Sequence, residues 1–187
     1  MEPFDKIRAQ RQRRQMPEVD VTKGRTIAYS RSTTSRLMDV LDANVRGNVH
    51  GGVIMRMVDE AAAIVAIKHA GKGVVTARVD RFDFLAPAYL GNVVIIQCEM
   101  HYVGRSSMEV GVEVMAEDLF MGEIRQIARS QVTYVALDEN GKPTPVPPLV
   151  PGDEEERKII EKARNRRARM QKIDEELGKI QQSNDGV

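Results

Sequence analysis

Cys98 is the only cysteine in the chain, which excludes an intrachain disulfide and suits a reducing compartment. Set within VVIIQCEM (93–100), it reads as a small buried thiol. The three histidines, His50, His69 and His101, are scattered; with a single cysteine they offer no metal-ligand spacing, and no metal is expected. No apolar run approaches the roughly 20 residues that cross a bilayer. The opening MEPFDKIRAQRQRRQ lacks the apolar stretch of a secretory signal, and Glu2, Asp5 and Glu18 suit a mitochondrial leader poorly. A cytoplasmic protein without membrane insertion is expected. The net charge of +1 lacks the basic excess of a nucleic-acid-binding domain. Arg8, Arg11, Arg13 and Arg14 have no aromatic stacking platform beside them, so no nucleic-acid partner is expected.

What is present fits a soluble globular chain, with 42% hydrophobic and 29% charged residues. Its 187 residues suffice for one domain with appendages. Composition changes twice, which divides the chain into a basic, polar N-terminal extension (1–30), a domain holding almost all the aliphatic content (31–150), and a highly charged tail (151–187). The Pro-rich joint PTPVPPLVP (143–151) marks the second border. The tail opens on Asp153, Glu154, Glu155 and Glu156, acids suited to a helix N-terminus. Its narrow apolar stripe (Ile159, Ile160, Ala163, Met170, Ile173, Leu177, Ile180) predicts a solvent-facing helix that packs weakly.

Inside the domain, GGVIMRMVDEAAAIVAIKHA (51–70) has no proline and carries apolar residues on nearly every face. It predicts a buried helix, stopped by Gly71 and Gly73. Strands are expected at 32–41, 74–87, 92–104, 107–116 and 123–138. In 107–116 the alternation sets Met108, Val110, Val112 and Val114 against Glu109 and Glu113. Strand, helix, then four strands on short turns implies antiparallel neighbours. The expected class is α+β, one antiparallel sheet wrapped around one central helix. Dimerisation through a strand edge would relieve the open edge such a sheet leaves.

Two features carry chemistry. Asp59 falls two turns into the helix among Met55, Val58, Ala62 and Ala63. An unpaired buried carboxylate costs several kcal/mol, so it is either hydrogen-bonded at an interface or functional. Glu60 points about 100° away and is the alternative exposed acid. The helix entrance, GNVHGG (47–52), offers first-turn amides with no intrahelical acceptor. It serves either as a tight loop or as an oxyanion hole. Gly51 and Asp59 lie eight residues apart on one helix, about 12 Å. If both act on one carbonyl, two antiparallel copies of the helix must supply them.

These residues resemble a known family. The runs DANVRGNVHGGVIMRMVDEAAAIVA (42–66), VVTARVDRFDFLAPAYLGN (74–92) and GRSSMEVGVEV (104–114) are similar to the hotdog acyl-CoA thioesterases. They look most like the brain acyl-CoA hydrolase type and its single-domain bacterial relatives. The resemblance covers about residues 30–150, and the VPPLVP joint with its charged tail also looks like that family. It implies hydrolysis of fatty acyl-CoA to free acid and CoA, with CoA as part of the substrate and no other cofactor. It implies a homodimer, and a hexamer as a trimer of dimers. Asn44 and Asp59 match the family's catalytic asparagine and carboxylate. The amide of Gly51 or Gly52 would hold the thioester oxygen, and Asn44 would orient the thioester or the attacking water. The partner's Asp59 would act as general base, or attack directly through an anhydride. Arg105, Ser106 and Ser107 match a segment near the nucleotide end of CoA, or form a plain hairpin turn. His50 is expected to structure the helix entrance. An acyl-CoA-sensing or scaffold protein with little hydrolysis is the reading from another class. Hotdog dehydratase or hydratase chemistry is a third, for which His50 is a weak hint.

Overall fold

The computed structural model describes residues 18–184, with side chains through residue 171. The four arginines near the start lie outside the described residues, and of the tail's Ile173, Leu177 and Ile180 only the helical backbone is described. Five strands form one antiparallel sheet: β1 (Ser32–Leu37), β2 (Gly73–Phe84), β3 (Asn92–Val103), β4 (Ser107–Asp118) and β5 (Glu123–Leu137). Their spatial order is β1-β3-β4-β5-β2. The hairpins β3–β4 and β4–β5 are neighbours, as short turns require. The link between β2 and β3 is not a hairpin. Residues 85–91 run across the end of the sheet and carry the chain from β2, at one margin beside β5, to β3 beside β1. Anchors hold that link down: the Leu85 amide donates to Ile127 O at 2.8 Å, and the Arg125 guanidinium donates to Pro87 O.

Helix α2 (Gly51–Ala70), preceded in the chain by the short α1 (Ile27–Ser30), lies against the sheet's inner face. Ile54, Met57, Val58, Ala61, Ala62, Val65 and Ala66 pack on Val94, Ile96, Met100, Val110 and Val114 in one core. Full burial of each Val or Ile side chain contributes about 1.5–3 kcal/mol. Gly71 ends the helix with φ +64, and its amide returns to Ile67 O at 2.8 Å; a side chain would resist that left-handed conformation. The expectation of a helix buried all round needs correction. One sheet covers one face, so Met55, Arg56, Asp59, Glu60, Ile64, Ile67 and Lys68 stay exposed in the single chain. Arg56 and Glu60 face each other at 4.0 Å, a helical (i, i+4) pair.

β1 stops earlier than the expected 32–41. Asp39 accepts from the Leu41 amide and forms a capping box with Asp42, turning Val40–Asp42 into a 3-10 helix. The outer face of the sheet is more occupied than the alternation implied. Helix α3 (Glu154–Asn184) is not a weakly packed solvent helix over its first turns, where Glu156, Ile160 and Ala163 are buried. Arg166 and Arg167 reach Glu109 on β4, leaving that glutamate 3% exposed. Arg167 also stacks over the Tyr102 ring at 4.4 Å. Residues 25–30, within the basic stretch, join the core: Ile27 is fully buried, and Arg25 exchanges backbone hydrogen bonds with the Pro148–Val150 segment. Cys98 is buried, and burial pushes its thiol up to about 12. No helix among the described residues is long and apolar enough to cross a membrane.

Candidate active site

The helix entrance is built by an asparagine turn and a histidine cap. Asn44 Oδ1 accepts from the amides of Arg46 (2.8 Å) and Asn48 (3.3 Å), which folds the loop and leaves the side-chain NH2 without an acceptor among the described residues. The loop is tied back by His50 N to Asp42 O at 2.7 Å and by Val49 N to Ala88 O at 2.9 Å. Asp42 is in turn clamped by Arg36, at 2.5 and 2.7 Å to its two oxygens.

His50 is the N-cap of α2, its Nδ1 accepting from the Gly52 amide at 2.9 Å. This is the structuring role expected for it. The contact also separates the two glycines. Gly52 N–H is committed to His50 and Val53 N–H to His50 O. Gly51 N–H has no acceptor among the described residues, so it is the amide open to an incoming oxygen. A Cβ on Gly51 would lie 3.2 Å from Phe84 Cζ. A side chain there would require the half-exposed ring to give by a few tenths of an ångström. Phe84 stacks on Phe82 with centroids 4.7 Å apart.

Asp59 lies on the open face of α2, exposed in the single chain. Its Oδ1 accepts from Thr76 Oγ1 at 2.7 Å and from Tyr134 OH at 3.0 Å. The Tyr134 hydroxyl also lies 2.8 Å from the Asp59 carbonyl. Oδ2 has no donor among the described residues, and Asp59 forms no ion pair there. Thr76 and Tyr134 are cross-strand partners between β2 and β5, and a register shift follows Thr76 directly. The bulge ends the regular pleat where these two hydroxyls meet the helix. Sequence reasoning missed both residues. The available signal was a polar Thr76 in the β-branched run VVTARV, beside a tyrosine in VTYVAL.

Gly51 and Asp59 stand on one helix, about 12 Å apart by its rise, and the chain does not bring them together. The Gly104–Ser107 turn between β3 and β4 leads into Met108, the cross-strand partner of Tyr134. Its Arg105 and Ser106 carbonyls are fastened by the Val146 and Ala136 amides at 3.0 and 2.9 Å. Arg105 is exposed and makes no ion pair among the described residues. The chain thus holds an amide without an acceptor, preceded by the Asn44 loop, at one end of α2, and a carboxylate bonded through one oxygen farther along the same helix.

A family model described as the thioesterase superfamily matches residues 46–119. The cytosolic acyl coenzyme A thioester hydrolase of Rattus norvegicus is 38% identical over 147 residues, 78% of this chain but 39% of the rat protein. The chain thus spans well under half the length of that relative. The asparagine-to-alanine mutant of an acyl-CoA hydrolase from Staphylococcus aureus, solved with coenzyme A, superposes with a TM-score of 0.78 at 33% identity, covering 89% of this chain and 99% of that one. The same enzyme has been solved with butyryl coenzyme A. It has also been solved with an asparagine, an aspartate and a threonine each replaced by alanine, spaced 15 and 17 residues apart. An apo-hexameric acyl-CoA thioesterase matches with a TM-score of 0.77 at 38% identity, over 80% of this chain and 96% of that one. With its antiparallel sheet around a long helix, the chain belongs to the hotdog acyl-CoA thioester hydrolases of the thioesterase superfamily.

Proposed function

We propose that this protein hydrolyses acyl-CoA thioesters to free acid and CoA at a site made jointly by two copies of the chain. The observation that carries the reading is the pairing of half-sites. One helix end has an open amide, and a carboxylate with one free oxygen sits about 12 Å along the same helix, out of reach of the same carbonyl. A second, antiparallel copy resolves this: Gly51 N–H and Asn44 come from one protomer, Asp59 from the other. Supporting it, the open face of α2 carries exposed Met55, Ile64 and Ile67 around Asp59. The adjacent β2 is a margin strand with exposed Val75 and Val79. An apolar helix face beside an unpaired strand edge is what a second copy buries. The intervals between Asn44, Asp59 and Thr76 are the 15 and 17 residues that separate the substituted positions in the Staphylococcus enzyme.

In the reaction, Gly51 N–H holds the thioester oxygen, and the Asn44 NH2 orients the thioester or the water. Asp59 takes a proton from water as the water oxygen bonds to the carbonyl carbon. The C–S bond then breaks, and the CoA thiolate takes up the proton. The alternative route has the carboxylate attack directly, forming a mixed anhydride that water then cleaves. Arg105, with Ser106 and Ser107, faces the phosphates of CoA. The dimer assembles further into a hexamer, a trimer of dimers, in line with the hexameric state of the apo thioesterase it superposes on. The compartment is the cytoplasm, in line with the cytosolic rat relative.

The test is thiol release from acyl-CoA by the purified protein, followed by mixing of two inactive variants. Asp59→Asn and Asn44→Ala are each expected to be nearly inactive. Refolded together, half their dimers carry one intact site in two, restoring about a quarter of wild-type turnover. No recovery on mixing rejects the shared site. Tight acyl-CoA binding without thiol release rejects hydrolysis and favours a sensing or scaffold role.

A further inference from the structure

We infer that Tyr134 is a positioning residue for this reaction, its buried hydroxyl joining Thr76 on Asp59 Oδ1 so that Oδ2 is the oxygen that works. The inference rests on the hydrolytic reading above and adds a residue and an atom to it. A carboxylate oxygen has two lone-pair positions. Asp59 Oδ1 accepts from Thr76 at 2.7 Å, and the single proton of Tyr134 is shared between that oxygen at 3.0 Å and the Asp59 carbonyl at 2.8 Å. Oδ2 takes none among the described residues, and Asp59 as a whole is exposed. The carboxylate is therefore held through one oxygen, and the other is left free.

The two donors come from opposite positions in one strand pair, Thr76 on β2 and Tyr134 on β5. Any shift of β2 against β5 would separate them. Tyr134 is only 1% exposed, whereas Thr76 lies at the sheet margin. The tyrosine is thus the donor that solvent cannot replace. A phenylalanine would fill the same apolar space, so the hydroxyl is explained by its acceptors, and these are both on Asp59: the carbonyl at 2.8 Å and the carboxylate. Burial first, and the neighbouring Asp59 charge second, push the phenol well above its ordinary range. It stays protonated at any working pH, a donor to the carboxylate and never a competing base.

The experiment compares steady-state acyl-CoA hydrolysis by wild type, Tyr134→Phe, Thr76→Val and the double variant, with melting temperatures measured in parallel. Tyr134→Phe is expected to lower kcat about 10- to 100-fold, the usual cost of misplacing a reacting group. KM should stay within about twofold, because the hydroxyl meets no substrate. Acting on one oxygen, the two substitutions should not multiply: the double variant falls within about threefold of the slower single variant. Thr76→Ser, which keeps the donor, should retain most of the turnover that Thr76→Val loses. Thr76→Val leaves the core untouched, so it probes the same oxygen should Tyr134→Phe fail to fold. The inference is overturned if Tyr134→Phe turns over within about twofold of wild type, or if it lowers only the melting temperature. It is also overturned if the double variant shows the full product of the single effects. A wild type that releases no thiol takes down the hydrolytic reading itself, and this inference with it.

Discussion

Asp42 and Asp59 both accept hydrogen bonds from their own chain, yet they are held in opposite ways. Asp42 is 3% exposed, its two oxygens are gripped by the Arg36 guanidinium, and the Asp39 amide adds a further donor at 3.1 Å. Glu156 is saturated as well, by the Ile27, Ala28 and Gly152 amides on its two oxygens, with no cation among the described residues. Asp59 is exposed, meets no cation among the described residues, and receives two neutral hydroxyls on one oxygen only. A structural carboxylate is saturated, and its charge is compensated where it is buried. Asp59 is oriented without being saturated, which fits the proton-transfer role proposed for it.

The comparison breaks if Asp59 proves to matter for stability and not for turnover. Asp59→Asn preserves shape and is expected to lower kcat about 1,000-fold while shifting the melting temperature little; normal turnover in a thiol-release assay removes Asp59 from the mechanism. The reverse is expected at the loop. Asp42→Asn should cost about 2–3 kcal/mol in denaturant unfolding, below the figure for wholly buried pairs because Arg36 is partly exposed. The folded fraction should keep near-normal kcat, so a collapse of kcat without loss of stability would move Asp42 to the catalytic side. Glu109→Gln, which faces Arg166 and Arg167, should cost about 1–2 kcal/mol and make α3 the first site of limited proteolysis.

The smallest effect is a pH slope from His69. It is fully buried, with its Nε2 bonded to Pro147 O at 3.0 Å. Burial first, then the Arg25 charge, holds it below its ordinary value. The unfolded chain therefore takes up a proton before the folded one does. The stabilising contribution is full above about pH 6.5 and is lost as pH falls toward the lowered folded value. Denaturation midpoints should drop between pH 7 and pH 5, and His69→Gln, which still donates to Pro147 O, should flatten that slope. Asp20, Asp83 and Glu99 are also lowered, but as carboxylates they act in a more acidic window.

Features carried by local pattern are legible in the sequence, and features made by distant partners are not. The helix over 51–70 and its stop at Gly71 follow from composition and one glycine. The oddity of Asp59 among aliphatic neighbours is visible, as is the amide pair at the helix start. Which glycine stays open depends on the Nδ1 of His50, a side-chain orientation no spacing encodes. Thr76 and Tyr134 lie 17 and 75 residues from Asp59, and a bulge beside Thr76 breaks the alternation that would have flagged it. Glu109 reads as solvent-facing because its partners come 57 and 58 residues later. The strand expected at 32–41 is too long because the Asp39–Asp42 capping box competes with extended backbone at its end.

Glu156 has a consequence that reaches beyond its own neighbourhood. Its carboxylate grips amides 129 and 128 positions upstream, so the first short helix and the charged tail are fastened into a closed ring of polypeptide. Cutting the tail off at the proline joint would leave two inward-facing amides without acceptors and uncover Ile27. The tail's opening turns are a clasp on the domain.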